Sequence, residues 1–142
     1  MGERIALVAT DEELRRCYPV MRELRPQLNE ASFIARVQRQ QASGYRLACL
    51  CAGGEVMALA GFRFGESLAW GRFLYVDDLV TRAAARSCGH GRRLLAWLHE
   101  QARLEGCEQL HLDSGVQREG AHRFYQREGM ARAGYHFVTA LD

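Results

Sequence analysis

Long apolar runs are missing from this sequence, and so is any marked excess of charge. No stretch approaches the ~20 consecutive apolar residues that a membrane-crossing helix needs. The opening Met1-Gly2-Glu3-Arg4-Ile5 lacks the apolar core of a secretory signal. A cytoplasmic protein without a membrane partner is therefore expected. Nineteen Lys and Arg against seventeen Asp and Glu leave a net charge of +2, which makes no electrostatic case for nucleic acid. The five cysteines are odd in number and none forms a Cys-x-x-Cys pair, which argues against a disulfide framework and a zinc site. Cys49 and Cys51 stand two apart in a strand-like run, on one face, as small packed residues. His99, His111, His122 and His136 show no metal-ligand spacing, so no metal is expected. Of the two prolines, Pro19 should disturb the first helix and Pro26 should punctuate the chain after it. No repeat, low-complexity tract or linker divides the 142 residues, and 48% hydrophobic with 25% charged residues fits one domain over 1–142.

What is present is concentrated in Arg86-Ser87-Cys88-Gly89-His90-Gly91-Arg92-Arg93. Gly89 and Gly91 precede a helical stripe of Leu94, Leu95, Leu98 and Ala102. A glycine turn that opens a helix aims unpaired N–H groups and the positive dipole end at one point, a seat for phosphate. Arg86, Arg92 and Arg93 add cationic charge, and the His90 side chain is expected to point outward. Upstream, residues 73–81 are rich in strand formers. A nucleotide P-loop would need Gly-Lys-Ser/Thr where Arg92-Arg93 stands, and a dinucleotide fold would need glycine in place of Leu94.

The spacing Arg86-x-x-Gly89-x-Gly91 after Leu79-Val80-Thr81 resembles motif A of the GNAT superfamily of acyl-CoA-dependent N-acetyltransferases, in which this loop wraps the coenzyme A pyrophosphate. Ala121-His122-Arg123-Phe124-Tyr125, followed by Gly129-Met130, resembles the family's second signature, a helix in which Gly129 can take the left-handed position at the end. The Ala121 helix and the ending 135–141 look most like small bacterial members such as the aminoalkylphosphonate N-acetyltransferases. Arg118 departs from the pattern: the family often carries Asn there, and Arg118 would reach a phosphate or the pantetheine instead.

Along the chain, Ile5 and Leu7 begin a strand. Thr10 or Asp11 caps a helix through Leu14, Cys17 and Met21, and Asn29 or Ser32 caps another through Phe33, Ile34 and Val37. Tyr45 to Cys51, Glu55 to Phe64 and Arg72 to Thr81 read as a meander, with Gly53-Gly54 as a hairpin turn and Gly65-Glu66-Ser67 as a loop. A helix from Arg92 to Glu105, a strand from Glu108 to Asp113, a helix from Gln117 to Glu128 and a last strand from Tyr135 to Leu141 complete it. The order β-α-α-β-β-β-α-β-α-β implies an α/β fold with a mixed sheet flanked by helices. The resemblance adds that the two central parallel strands splay, because the first carries a β-bulge, and that one N-acetyltransferase domain spans the chain.

The activity implied is transfer of acetyl from acetyl-CoA directly to the primary amine of a small molecule. An alkylammonium titrates near pH 10 and must lose a proton before it attacks. Asp78 or Asp77 can take that proton. They lie on opposite strand faces if side chains alternate, Asp78 sharing a face with Val76 and Val80; as plain structure they would be a strand-end pair facing water. An N–H of Leu79 or Val80 meets the oxyanion, and Tyr125 donates a proton to the departing thiolate. Leu79, Val80 and Thr81 hold pantetheine by main-chain pairing. Arg86, Cys88, Gly89, His90, Gly91 and Arg92 cradle the pyrophosphate. Acceptor choice falls to a region that includes Glu23, Arg25, Gln27, Arg63, Trp70 and Tyr75, and Arg25, Arg63 or Arg72 suits an anionic acceptor. The alternatives are a protein N-terminal or lysine acetyltransferase and a non-catalytic acetyl-CoA sensor. A homodimer is common among such relatives.

Overall fold

A computed structural model describes residues 2–141, in two compact units that meet between His111 and Leu112. The first unit holds β1 (Glu3–Leu7), α1 (Asp11–Leu24), α2 (Glu30–Gln41), β2 (Arg46–Ala52), β3 (Glu55–Ser67), β4 (Gly71–Thr81), a 3₁₀ turn at Ala83–Ala85 and α3 (His90–Leu104). β5 (Gln109–Leu112) ends it, and α4 (Glu119–Arg127) belongs to the second unit.

Local chemistry accounts for the helix starts. Thr10 accepts from the Glu13 N–H at 3.1 Å while the Glu13 carboxylate takes the Thr10 N–H at 2.9 Å, a reciprocal cap. Asn29 and Ser32 make the same exchange at the start of α2. Contrary to the sequence expectation, Pro19 does not interrupt α1. It lies on the exposed face, so the carbonyl robbed of its donor faces water, while Leu14, Cys17, Val20 and Met21 stay buried on the other face and hold the helix down.

The sheet runs β1-β2-β3-β4-β5. The first four strands pair antiparallel in sequence, and β5 makes the sheet mixed. Gly53 and Gly54 turn the β2–β3 hairpin with φ of +60° and +81°, a backbone that glycine adopts without strain. β3 continues through Gly65-Glu66-Ser67, where a loop was expected, because Gly65 pairs with Phe73 and Glu66 with Arg72. Helices α1 and α2 pack on the face carrying Tyr45, Leu47, Leu59 and Val80. The opposite face bears Phe62, whose ring meets Trp97 of α3 edge-on at 5.8 Å.

A phase shift in β4 decides what faces what. Phe62 pairs with Val76 but the preceding Gly61 pairs with Asp78, so Asp77 is an extra residue, a β-bulge. The bulge turns Val76 to the α3 side and leaves Asp78 with Val80 on the α1–α2 side, so Val76 and Val80 do not share a face as alternation suggested. β5 begins beside Arg72, whose carbonyl accepts the Glu108 N–H at 2.8 Å, and spans four residues against eleven in β4. The end of β4, from the bulge onward, therefore runs past it.

In the second unit, α4 closes with a Schellman turn. Gly129 has φ +93°, its N–H donates to the Gln126 carbonyl, and the Met130 N–H donates to the Tyr125 carbonyl. The strand expected over residues 135–141 does not form. Tyr135, Phe137 and Leu141 fall in the phase of one strand face but are 86–91% exposed. Alternation supplies a face; a strand exists only where a neighbouring backbone accepts its ladder, and none does for residues 130–141.

Candidate active site

The bulge at Asp77 brings both candidate carboxylates to one cleft, where simple alternation would have parted them. A cavity of about 250 Å³ is lined by Arg25, Gln27, Arg36, Gln40, Tyr45, Asp77 and Asp78, with an apolar wall from α1 and α2. Asp78 is held from two sides. Arg25 Nε donates to its Oδ1 at 3.0 Å, and the Tyr45 hydroxyl donates to Oδ2 at 2.7 Å. Arg25 also donates to the Asp77 carbonyl at 3.0 Å, clamping the bulge. Arg63 pairs with Asp77 Oδ2 at 2.9 Å, and its guanidinium lies 5.5 Å from the centre of the Tyr45 ring. Neither carboxylate is a strand-end pair facing water.

Tyr45 is only 3% exposed. Burial, followed by the negative charge of Asp78, pushes its phenol far above the ordinary range. It therefore keeps its proton and remains a donor to Asp78 at any working pH. Gly61, across the ladder from Asp78, makes the contact sterically feasible: a Cβ there would stand 1.8 Å from the Tyr45 hydroxyl and 2.8 Å from Asp78 Oδ2. Tyr45, Gly61, Arg36 and Gln40 were not singled out from sequence. A signal existed for two of them. A lone glycine inside an apolar strand marks a bulge or a close approach, and a tyrosine in phase with Leu47 on the core face must find its hydroxyl a partner.

The glycine turn has the expected form. Gly89 caps α3 with φ +83°, and the first helical bond runs from the Arg93 N–H to the Gly89 carbonyl at 3.0 Å. The amides of His90 and Gly91 thus have no carbonyl within the helix to serve and stand at its positive end, suited to an anion. A Cβ at Gly89 would meet Arg93 Nη1 at 2.6 Å. Arg86 and Cys88 are exposed here, Arg86 sitting 3.8 Å from Glu23, a residue that also caps the Ala83 N–H. His90 corrects the expectation of an outward side chain: it is 8% exposed, and Nδ1 lies 3.0 Å from Glu3. Glu3, on β1, also binds Arg93, whose Nη2 lies 3.1 Å from His90 Nδ1.

Leu79, Val80 and Thr81 pair with Ala60, Leu59 and Ala58 of β3 along one edge. Trp70 stacks on His111 at 3.5 Å, and Arg72 donates to the Glu105 carbonyl, so neither lines the cleft. In the second unit Tyr125 is half-buried on α4. Burial raises the Tyr125 phenol and the Arg118 cation opposes the rise. No metal-binding cluster occurs among the described residues, and no helix among them is long and apolar enough to cross a membrane.

Comparison with known proteins places this geometry. Residues 7–130 match the Acetyltransferase (GNAT) family. An uncharacterised N-acetyltransferase of Bacillus subtilis is 37% identical over 119 residues, covering 83% of this chain and 84% of its own. The aminoalkylphosphonate N-acetyltransferase of Salmonella typhimurium is 35% identical over 98 residues, covering 68% of this chain and 62% of its own. Among solved structures, an aminoglycoside N-acetyltransferase in complex with coenzyme A superposes with a TM-score of 0.82 at 13% identity, over 99% of this chain and 97% of that one. With the glycine turn opening α3, the bulged β4 and the Ala121–Tyr125 helix all in place, the chain belongs to the GNAT family of acetyltransferases.

Proposed function

We propose that this enzyme moves an acetyl group from acetyl-CoA directly to the primary amine of a small molecule that also carries an anionic group. The observation that carries the reading is the cleft at the β4 bulge. Its two carboxylates are each matched by a guanidinium, Asp78 by Arg25 and Asp77 by Arg63, and Arg36 lines the same wall in addition. The carboxylates can receive an ammonium, and the surplus cation suits a phosphonate or carboxylate. The named activity of the Salmonella relative, on aminoalkylphosphonates, supports the same class.

Bound acetyl-CoA would supply an activated thioester. The turn amides at residues 88–92, with the Arg86 cation, would hold its pyrophosphate, and the main chain at Leu79, Val80 and Thr81 would hold the pantetheine. Asp78 takes the acceptor's proton, directly or through water. Its two oxygens keep lone pairs beyond those used by Arg25 and Tyr45, and the two fixed donors stop it rotating away. Asp77, tied to Arg63, holds the bulge and serves as the second carboxylate. The Leu79 or Val80 N–H meets the developing oxyanion without reorganisation. Tyr125 keeps its proton at neutral pH and gives it to the leaving thiolate. The cavity, about 250 Å³, is of the size that a small amine fills, which supports a small-molecule acceptor.

The test is release of free coenzyme A from acetyl-CoA against a panel of neutral amines, amino acids, aminophosphonates and N-terminal peptides. Saturable release with anionic small amines, and weaker turnover with peptides, is expected. Turnover confined to peptides would give the protein-acetyltransferase reading instead. Coenzyme binding with no turnover across the panel would give the sensor.

A further inference from the structure

Three thiols packed between α1 and β2 have no part in acetyl transfer. Cys49 and Cys51 share one face of β2 with their Sγ atoms 3.4 Å apart, and both pack against the core cluster that contains Cys17 of α1. Cys17 is sealed in the core at 1% exposure, whereas Cys49 and Cys51 are half-buried and within reach of small solutes. Arg4 pairs with Cys51 across the β1–β2 ladder and lies close enough to favour a negative sulfur. The neighbouring Cys17 thiol and then Cys51, opposed by burial and helped by Arg4, hold the Cys49 thiol below its ordinary range. Cys51 is pushed up, first by burial and then by Cys49. The cluster thus concentrates thiolate character on one sulfur and keeps a protonated thiol touching it, the pairing that a two-step oxidation needs.

We propose that Cys49 and Cys51 form a reversible oxidation site for hydroperoxides. The Cys49 thiolate attacks the terminal peroxide oxygen. The S–O bond forms as O–O breaks, the alcohol or water leaves after taking a proton from solvent, and Cys49 becomes a sulfenic acid. The Cys51 sulfur then attacks the Cys49 sulfur: S–S forms, S–O breaks, and the departing hydroxide leaves as water with the Cys51 proton. Residues two apart on a strand have Cα atoms roughly 6.6 Å apart, near the long end of disulfide geometry. A small thiol then returns both residues to the reduced state.

The test uses the whole wild-type protein and hydrogen peroxide as the probe. Arg46 and Arg63 release both cysteines in a single tryptic peptide, 47–63, free of the other three. After peroxide that peptide should lose the mass of two hydrogens, two titratable thiols should vanish per chain, and glutathione should restore both. Its modification should outrun that of the Cys107 peptide by about tenfold or more. Cys51→Ser should stop the reaction at a Cys49 sulfenic acid that a dimedone probe captures. Modification of Cys49 no faster than Cys107 would overturn the proposal, as would a product in which peptide 47–63 is joined to the Cys17 peptide. The wild-type peptide masses decide the matter even if the serine variant fails to fold.

Discussion

Asp78 accepts from a guanidinium on one oxygen and a phenol on the other, which makes its replacement informative. Asn at 78 keeps an oxygen for Arg25, and the Tyr45 hydroxyl can turn to accept from the new amide. The site should therefore survive without its base. We expect Asp78→Asn to lower kcat/KM for amines by about 10²-fold or more, with unchanged acetyl-CoA affinity by calorimetry. Tyr125→Phe should lower kcat by a similar factor, again with coenzyme affinity kept; unchanged turnover would remove Tyr125 from the proton path. The glycine turn was legible from residue type and spacing, and the two aspartates from their place in an apolar strand; the roles proposed for them and for Tyr125 came with the family resemblance. Tyr45 could not be assigned, because its role depends on a neighbour 33 positions away. His90 was read as outward because the sequence does not show that Glu3 of a distant strand stands above the turn.

Elements carry the geometry that single residues use. The bulge in β4 works only because Gly61 leaves room opposite it, so Gly61→Ala should push Tyr45 off Asp78. A loss of about 1–3 kcal/mol in urea unfolding is expected for such overpacking, together with reduced turnover. Wild-type stability in that variant would mean the ladder relaxes freely. At the head of α3, Gly89→Ala must place a Cβ in a left-handed backbone and against Arg93. It should raise the KM for acetyl-CoA several-fold while leaving the acceptor's KM in place. Helices were legible from caps and stripes, and the meander from its turns. Misreadings share one cause. Pro19 was judged without its exposed face, residues 65–67 without their partners in β4, and residues 135–141 without any partner at all. Strand pairing is a property of two segments, and a local pattern describes only one.

Across the whole molecule, buried phenols tie stability to pH. The raised Tyr45 and Tyr125 keep their protons when folded, whereas an unfolded tyrosine ionises near pH 10. Above that value the unfolded chain holds fewer protons, so stability falls as pH rises. Their contribution is intact below about pH 9 and is lost progressively above about pH 10. Denaturation midpoints measured across that range should drop, and Tyr45→Phe should flatten the drop; an unchanged slope in that variant would show the Tyr45 phenol to be ordinary. The order of elements from β1 to α4 and the two-faced sheet were readable from sequence because they follow from periodicity and connection rules. The cleft was not, since one extra residue in one strand creates it. The most direct measurement is therefore the rate of coenzyme A release from acetyl-CoA with small amines that differ only in whether they carry a phosphonate or carboxylate. The account predicts saturable release that favours the anionic members and collapses in Asp78→Asn; equal rates in that variant and the wild type would contradict it.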